Sequence, residues 1–177
     1  MRVKLEPRDL SWIAEAPETY VFEATLRSPR PAVFAAIAAD PSTWTWFPGL
    51  SKASYPSEPP HRVGSKREVM MAGTYYGETM LAWDEPSRWA YRVDESSAPI
   101  ARSLVEDWVL EEDHGTTVVR WTFAIDPRTA FRAAGPAAPT LMGNLFRRAM
   151  KNLDEQLQSA ATDGAGEPTD RGVDVGT

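Results

Sequence analysis

Residues 141–157, "LMGNLFRRAMKNLDEQL", place apolar side chains at helical spacing. Met142, Leu145, Phe146, Ala149, Met150, Leu153 and Leu157 fall on one stripe, opposed by Arg147, Lys151, Asp154 and Glu155. The pattern predicts a helix from about Ala138 to Gln158, roughly 30 Å long at 1.5 Å per residue. Such a stripe needs a matching apolar surface, so the segments before it decide the architecture.

Those segments read as strands from residue 50 to 126. "SKASYPS" is short and weak. "SKREVMMA", "TYYGETMLAW", "SRWAYRVDE", "ARSLVEDWVLEE" and "TTVVRWTFAI" are longer and separated by turn residues such as Gly73-Thr74, Asp84-Glu85-Pro86 and Asp113-His114-Gly115. Short connections between successive strands make an antiparallel meander. Upstream, "TYVFEATLR" (19–27) is a further strand. "SPRPAVFAAIAAD" follows as a helix, with Ser28 as cap and Pro29 in the first turn. After Pro41, "PSTWTWF" starts a second short helix with Asp40 or Ser42 as cap, and Pro48-Gly49 breaks the chain. In that short helix Trp44 and Phe47 share a face, at the cavity mouth or against the last helix, while Trp46 is more exposed.

The expected fold is α+β: a curved antiparallel sheet of about seven strands around a long C-terminal helix, with two short helices after the first strand. Residues 1–17 read as an N-terminal extension, 18–158 as the domain, and 159–177 as a disordered tail without aromatics or periodicity.

Composition narrows the function. A net charge of −6 and a pI near 5.0 disfavour nucleic acid and anionic membrane. With no cysteine, disulfides, thiolate catalysis and zinc–sulfur sites are excluded together. The N-terminus lacks a signal-peptide core, no segment is apolar enough to span a bilayer, and a cytoplasmic location is expected. The two histidines, His61 and His114, both read as exposed loop residues, so neither a metal site nor a Ser–His–Asp triad is expected. There is no GxSxG, P-loop or GxGxxG, "DGAGEP" in the tail carries no meaning, and no cofactor is expected.

Hairpin arithmetic assigns the faces. A four-residue loop Glu112–Gly115 pairs Trp108 with Val119, Glu106 with Trp121 and Asp107 with Arg120. A turn at Asp84–Ser87 pairs Ala82 with Trp89, Met80 with Tyr91 and Glu78 with Val93. A turn at Gly73-Thr74 pairs Val69 with Glu78 and brings Arg67 opposite Met80. Three polar groups, Arg67, Glu78 and Glu106, then face inward among large aromatics. An inward carboxylate needs a partner, a proton or water, because burying it bare costs several kcal/mol. Either the sheet encloses a partly wet cavity, or Arg67 and Glu78 pair near the sheet edge and Glu106 sits at a solvated rim.

Element order and local text resemble the START/Bet v 1-like (SRPBCC) superfamily, in particular its polyketide cyclase/dehydrase and lipid-transport branch. The pieces that carry the resemblance are "SPRPAVFAAIAADPSTWTWFPG", "RVGSKREV", "WDEPSRWAYRV", "HGTTVVRWTF" and "LMGNLFRRAMKNLDEQL", spanning about residues 18–158. The resemblance implies a helix-grip fold with a large hydrophobic pocket between sheet and helix. It also implies ligands such as lipids, sterols or polyketides, with cyclases, aromatases or hydrolases as a minority. It carries over no catalytic residue.

The expected function is binding or transport of an apolar small molecule in a cavity of about 300–1,000 Å³. A ligand of some 20 heavy atoms at about 0.3 kcal/mol per atom gains about 6 kcal/mol, or tens of micromolar. Candidate ligand-binding residues are Trp44, Phe47, Arg67, Tyr76, Glu78, Met80, Trp89, Tyr91, Glu106, Trp108, Trp121, Met142, Phe146 and Met150. The alternative is a polyketide cyclase/aromatase-type enzyme. Glu78 or Glu106 would then serve as general acid or base, with Arg67 or Tyr76 polarising a carbonyl.

Overall fold

Alternation of large apolar and polar residues makes Glu18–Leu26 a strand with one exposed face, and it forms one edge of the sheet. The computed structural model describes residues 2–39, 41, 44–132 and 137–164. The strands are β1 (Val3–Lys4), β2 (Glu18–Leu26), β3 (Leu50–Ser54), β4 (Lys66–Met71), β5 (Thr74–Asp84), β6 (Arg88–Ser96), β7 (Ala101–Asp113) and β8 (Thr116–Pro127). They form one antiparallel sheet in the order β2-β8-β7-β6-β5-β4-β3, with β1 added against β6. The α-helices are α1 (Arg30–Phe34), which continues as a π-helical turn over Ala35–Ala39, α2 (Thr129–Arg132) and α3 (Ala137–Gly164), and a 3-10 helix covers Leu10–Glu15. The helix-grip architecture is therefore present, with β1 joining the seven-strand path.

Helix α3 docks by its apolar stripe. Phe146, Ala149, Met150 and Leu153 are buried, whereas Leu141 is 69% exposed. Gly143 permits the close approach: a methyl group there would sit 3.1 Å from Phe22 Cε1. Polar ties hold the middle of the helix, since Asp154 accepts from the Arg27 backbone N–H at 2.8 Å and Asn152 Nδ2 donates to the Trp46 carbonyl at 3.0 Å.

Several expectations change. Helix α3 runs to Gly164, so the tail expected from 159 loses its first six residues to the helix; residues 165–177 lie outside the described residues. Residues 1–17 are more than an extension: β1 pairs with β6 where β7 has diverged, and Leu5 is buried in the core. Ser28 does not cap α1. Pro29 occupies that position, while Ser28 Oγ accepts from Gln158 Nε2 at 3.1 Å. Trp44–Phe47 form no helix, and the proposed caps Asp40 and Ser42 lie outside the described residues. Trp46 is 3% exposed, against the expectation that it faces solvent, because Trp44 and Trp46 pack ring to ring at 5.8 Å. His61 is not a free loop residue; it stacks on Tyr55 with ring centroids 4.0 Å apart.

The registers differ instructively. Both the β4–β5 and β7–β8 hairpins close with two-residue turns, Ala72-Gly73 and His114-Gly115, with positive φ at all four positions. The pairings therefore slip by two residues from the expected ones: Arg67 faces Glu78, Val69 faces Tyr76, Trp108 faces Trp121, and Glu106 faces Phe123. A slip of two leaves every side chain on its expected face. Asp107 is opposite Thr122 rather than Arg120, and its carboxylate binds Arg88 through two bonds of 2.9 Å. Met80–Tyr91 and Glu78–Val93 pair as expected, whereas an irregularity between Met80 and Ala82 moves Trp89 opposite Trp83.

Candidate functional site

The inner face of the sheet and the first turns of α3 enclose a cavity of about 200 Å³. Its floor is buried apolar surface from Val69, Val93, Leu104, Trp121 and Phe123. Partly exposed side chains form the rim: Phe47, Leu50 and Met71 from the β3–β4 side, Ile100 from the β6–β7 loop, and Met142 and Leu145 from α3. The volume falls below the 300–1,000 Å³ expected from sequence and corresponds to the liquid volume of about seven water molecules. The reason is the density of rings: Trp44, Trp89, Trp108 and Phe146, four side chains that could have lined open space, pack on each other instead.

Of the sequence-derived candidates, Phe47, Arg67, Tyr76, Glu78, Tyr91, Glu106, Trp121 and Met142 line this cavity. Trp44, Met80, Trp89, Trp108, Phe146 and Met150 do not; all six are buried in the surrounding core. Phe146 is sandwiched against Trp121 and Trp108, with centroids at 5.7 and 6.1 Å. Leu50, Val69, Met71, Val93, Ile100, Leu104, Phe123 and Leu145 complete the wall and are absent from the candidate set. Strand parity already turns Val69, Met71, Val93, Leu104 and Phe123 inward, and that signal could have found them.

Two polar clusters occupy the wall. In the first, Arg67 Nε and Nη2 donate to Glu78 Oε2 at 2.6 and 2.5 Å, and the two side chains are 2% and 5% exposed. Three rings surround the guanidinium carbon: Trp44 at 4.6 Å, Trp89 at 4.4 Å and Tyr91 at 4.4 Å. Nη1 is buried and has no hydrogen-bond partner among the described residues. Burial pushes the Glu78 carboxyl up to about 7 even though Arg67 pulls it down. The guanidinium itself is held firmly charged against its burial, with Glu78 the main support.

The second cluster centres on Glu106. Tyr91 Oη and Trp121 Nε1 both donate to Glu106 Oε2, at 2.5 and 2.8 Å. Glu106 is partly exposed, and that exposure is to the cavity it lines. Burial raises its carboxyl above the ordinary range, opposed by the two donors and by Arg67. Burial also raises the Tyr76 and Tyr91 hydroxyls, with Glu106 the next cause. The alternatives left open by the sequence thus divide: Arg67 and Glu78 do pair, but fully buried, and Glu106 sits on the cavity wall.

A pH dependence follows from Glu106. Its folded pKa lies above its ordinary value of 4.5, so its stabilising share is complete below about 4.5 and is lost as pH rises through the raised value. Glu106→Gln, which never ionises, is therefore expected to flatten the decline of stability between weakly acidic and mildly alkaline pH. Urea denaturation at a series of pH values reads this, and an unchanged slope would contradict it.

Among the described residues, no helix is long and apolar enough to cross a membrane. The family described as polyketide cyclase/dehydrase and lipid transport matches residues 22–158. Uncharacterised proteins of Mycobacterium tuberculosis and Mycobacterium bovis are each 29% identical over 153 residues, 81% of this chain and 87% of theirs. A START superfamily protein from Mycobacterium smegmatis superposes with a TM-score of 0.66 at 7% identity, over 80% of this chain and 98% of the other. The Zhui aromatase/cyclase from Streptomyces gives 0.63 at 17% identity, over 85% and 99%. Ara h 8.0201 gives 0.64 at 15% identity, over 80% and 98%. At such identities these structures establish the shared fold.

Proposed function

The chain belongs to the polyketide cyclase/dehydrase and lipid transport family, and we propose that it binds an apolar small molecule in the cavity between the sheet and α3. The observation that carries this reading is a wall of apolar side chains interrupted by a few convergent polar groups, Glu106 foremost. A folded domain fills its interior to crystal-like density, so space kept open beside a carboxylate has a use. At about 200 Å³ the cavity suits a ligand on the order of ten heavy atoms. A longer lipid or polyketide requires the rim to yield. Met142 and Phe47 are suited to that, one by its unbranched flexible chain and the other by its place in a stretch without regular structure.

Native mass spectrometry of freshly purified protein tests the reading. A co-purified small molecule, or saturable binding from a panel of lipids and aromatic compounds, is the expected result. Consistent absence of both would overturn it.

A second reading is acid–base catalysis of the cyclase or aromatase kind, supported by the raised Glu106 carboxyl facing the cavity. Arg67 is a poor candidate for polarising a carbonyl, because rings and Glu78 enclose its guanidinium. Undiminished turnover of a found substrate by Glu106→Gln would remove this reading.

A further inference from the structure

The charges around the cavity do not balance. Arg67 and Glu78 neutralise each other in one buried pair. Glu106 has two neutral donors and no cation bonded to it, and both donors converge on Oε2. Among the described residues, both hydrogen bonds to the carboxylate end on Oε2 and none on Oε1, while the Trp108 indole adds a weaker pull on the group. A bare carboxylate in an apolar enclosure is unfavourable unless water, a proton or an incoming group meets it. The rings beside it are already suited to positive charge: Tyr91 presents its face to the Arg67 guanidinium and its hydroxyl to Glu106.

Resting on the small-molecule reading above, we propose that the cavity selects a small arylalkyl amine, its ring among Trp121, Tyr91 and Phe123 and its ammonium against Glu106. The amine supplies the missing cation and donates to the free oxygen. A carboxylate ligand of equal size meets Glu106 as a like charge. The unpartnered Nη1 of Arg67 offers it no rescue, since that atom is buried among its neighbours. A bare hydrocarbon fits the rings but strips water from Glu106 and gives nothing back. An alcohol donates one hydrogen bond and brings no charge, so it ranks between.

Size and chemistry together set the test. 2-Phenylethylamine, 2-phenylethanol, phenylacetate and ethylbenzene share one skeleton and suit the volume. Isothermal titration calorimetry at pH 7.5 on the full chain is expected to rank the amine first, about tenfold or more tighter than phenylacetate or ethylbenzene. In Glu106→Gln the preference is expected to fall below about threefold while ethylbenzene affinity changes less than that. Glu111→Gln, an exposed carboxylate on the same strand, is expected to keep the wild-type ranking. Should Glu106→Gln fail to fold by near-ultraviolet circular dichroism, the wild-type ranking alone decides. Tightest binding by phenylacetate or ethylbenzene would overturn the amine proposal and leave small-molecule binding standing. No binding by any of the four, alongside a co-purified lipid, would likewise overturn this proposal alone. Failure of these four and of the wider panel would overturn both.

Discussion

Arg67→Leu is expected to cost the fold about 3–5 kcal/mol, the usual penalty for leaving a buried carboxylate without its cation. Glu78 is 5% exposed and faces Arg67 directly across the β4–β5 ladder, so the guanidinium is its main compensating partner. Three rings around Arg67 lose a cation at the same time. The double variant Arg67→Leu/Glu78→Leu removes both charges, and buried pairs replaced by apolar residues are often near neutral. It is therefore expected to be more stable than Arg67→Leu alone. The single variant also carries a pH signature. Without Arg67 the carboxyl of Glu78 rises beyond its present value of about 7. It is neutral in acid, so the penalty should be mild near pH 5 and largest at alkaline pH. Urea denaturation of the two variants across that range reads both effects. A double variant as unstable as the single would show that the pair stabilises by more than mutual neutralisation.

That prediction depends on a register the sequence could not supply. Hydrophobic alternation turned Arg67, Glu78 and Glu106 inward correctly, because parity survives a two-residue slip. It could not reveal that Ala72 and His114 would adopt positive φ, a conformation uncommon outside glycine, and so shorten both hairpin turns. Shortening the first turn is what places Arg67 opposite Glu78 instead of Met80. The long helix was legible from its periodicity, and its docking from the stripe. Trp46 departs from its expected exposure because the helical face invoked there falls on irregular chain, and irregular backbone has no period to read. The cavity's modest size was invisible for a related reason. Strand parity says which aromatics point inward but not that Trp44, Trp89, Trp108 and Phe146 fill that interior against one another.

Phe146→Ala is expected to lower stability by about 3–5 kcal/mol, at the upper end for core truncations. Phe146 is 1% exposed and is the side chain through which α3 meets three elements of the sheet at once. Its ring lies 5.7 Å from Trp121 on β8, 6.1 Å from Trp108 on β7 and 6.0 Å from Phe22 on β2. Truncation forfeits the buried ring area and leaves a void where three rings now meet the helix. Leu141→Ala, one turn away but 69% exposed, should change stability by no more than about 0.5 kcal/mol. Equal losses for the two variants would mean that α3 is held by something other than its stripe. The void also adjoins Trp121, which lines the cavity. A folded Phe146→Ala protein should therefore accept ligands larger than wild type does, and calorimetric titration with naphthyl instead of phenyl compounds separates that gain in room from the loss in stability.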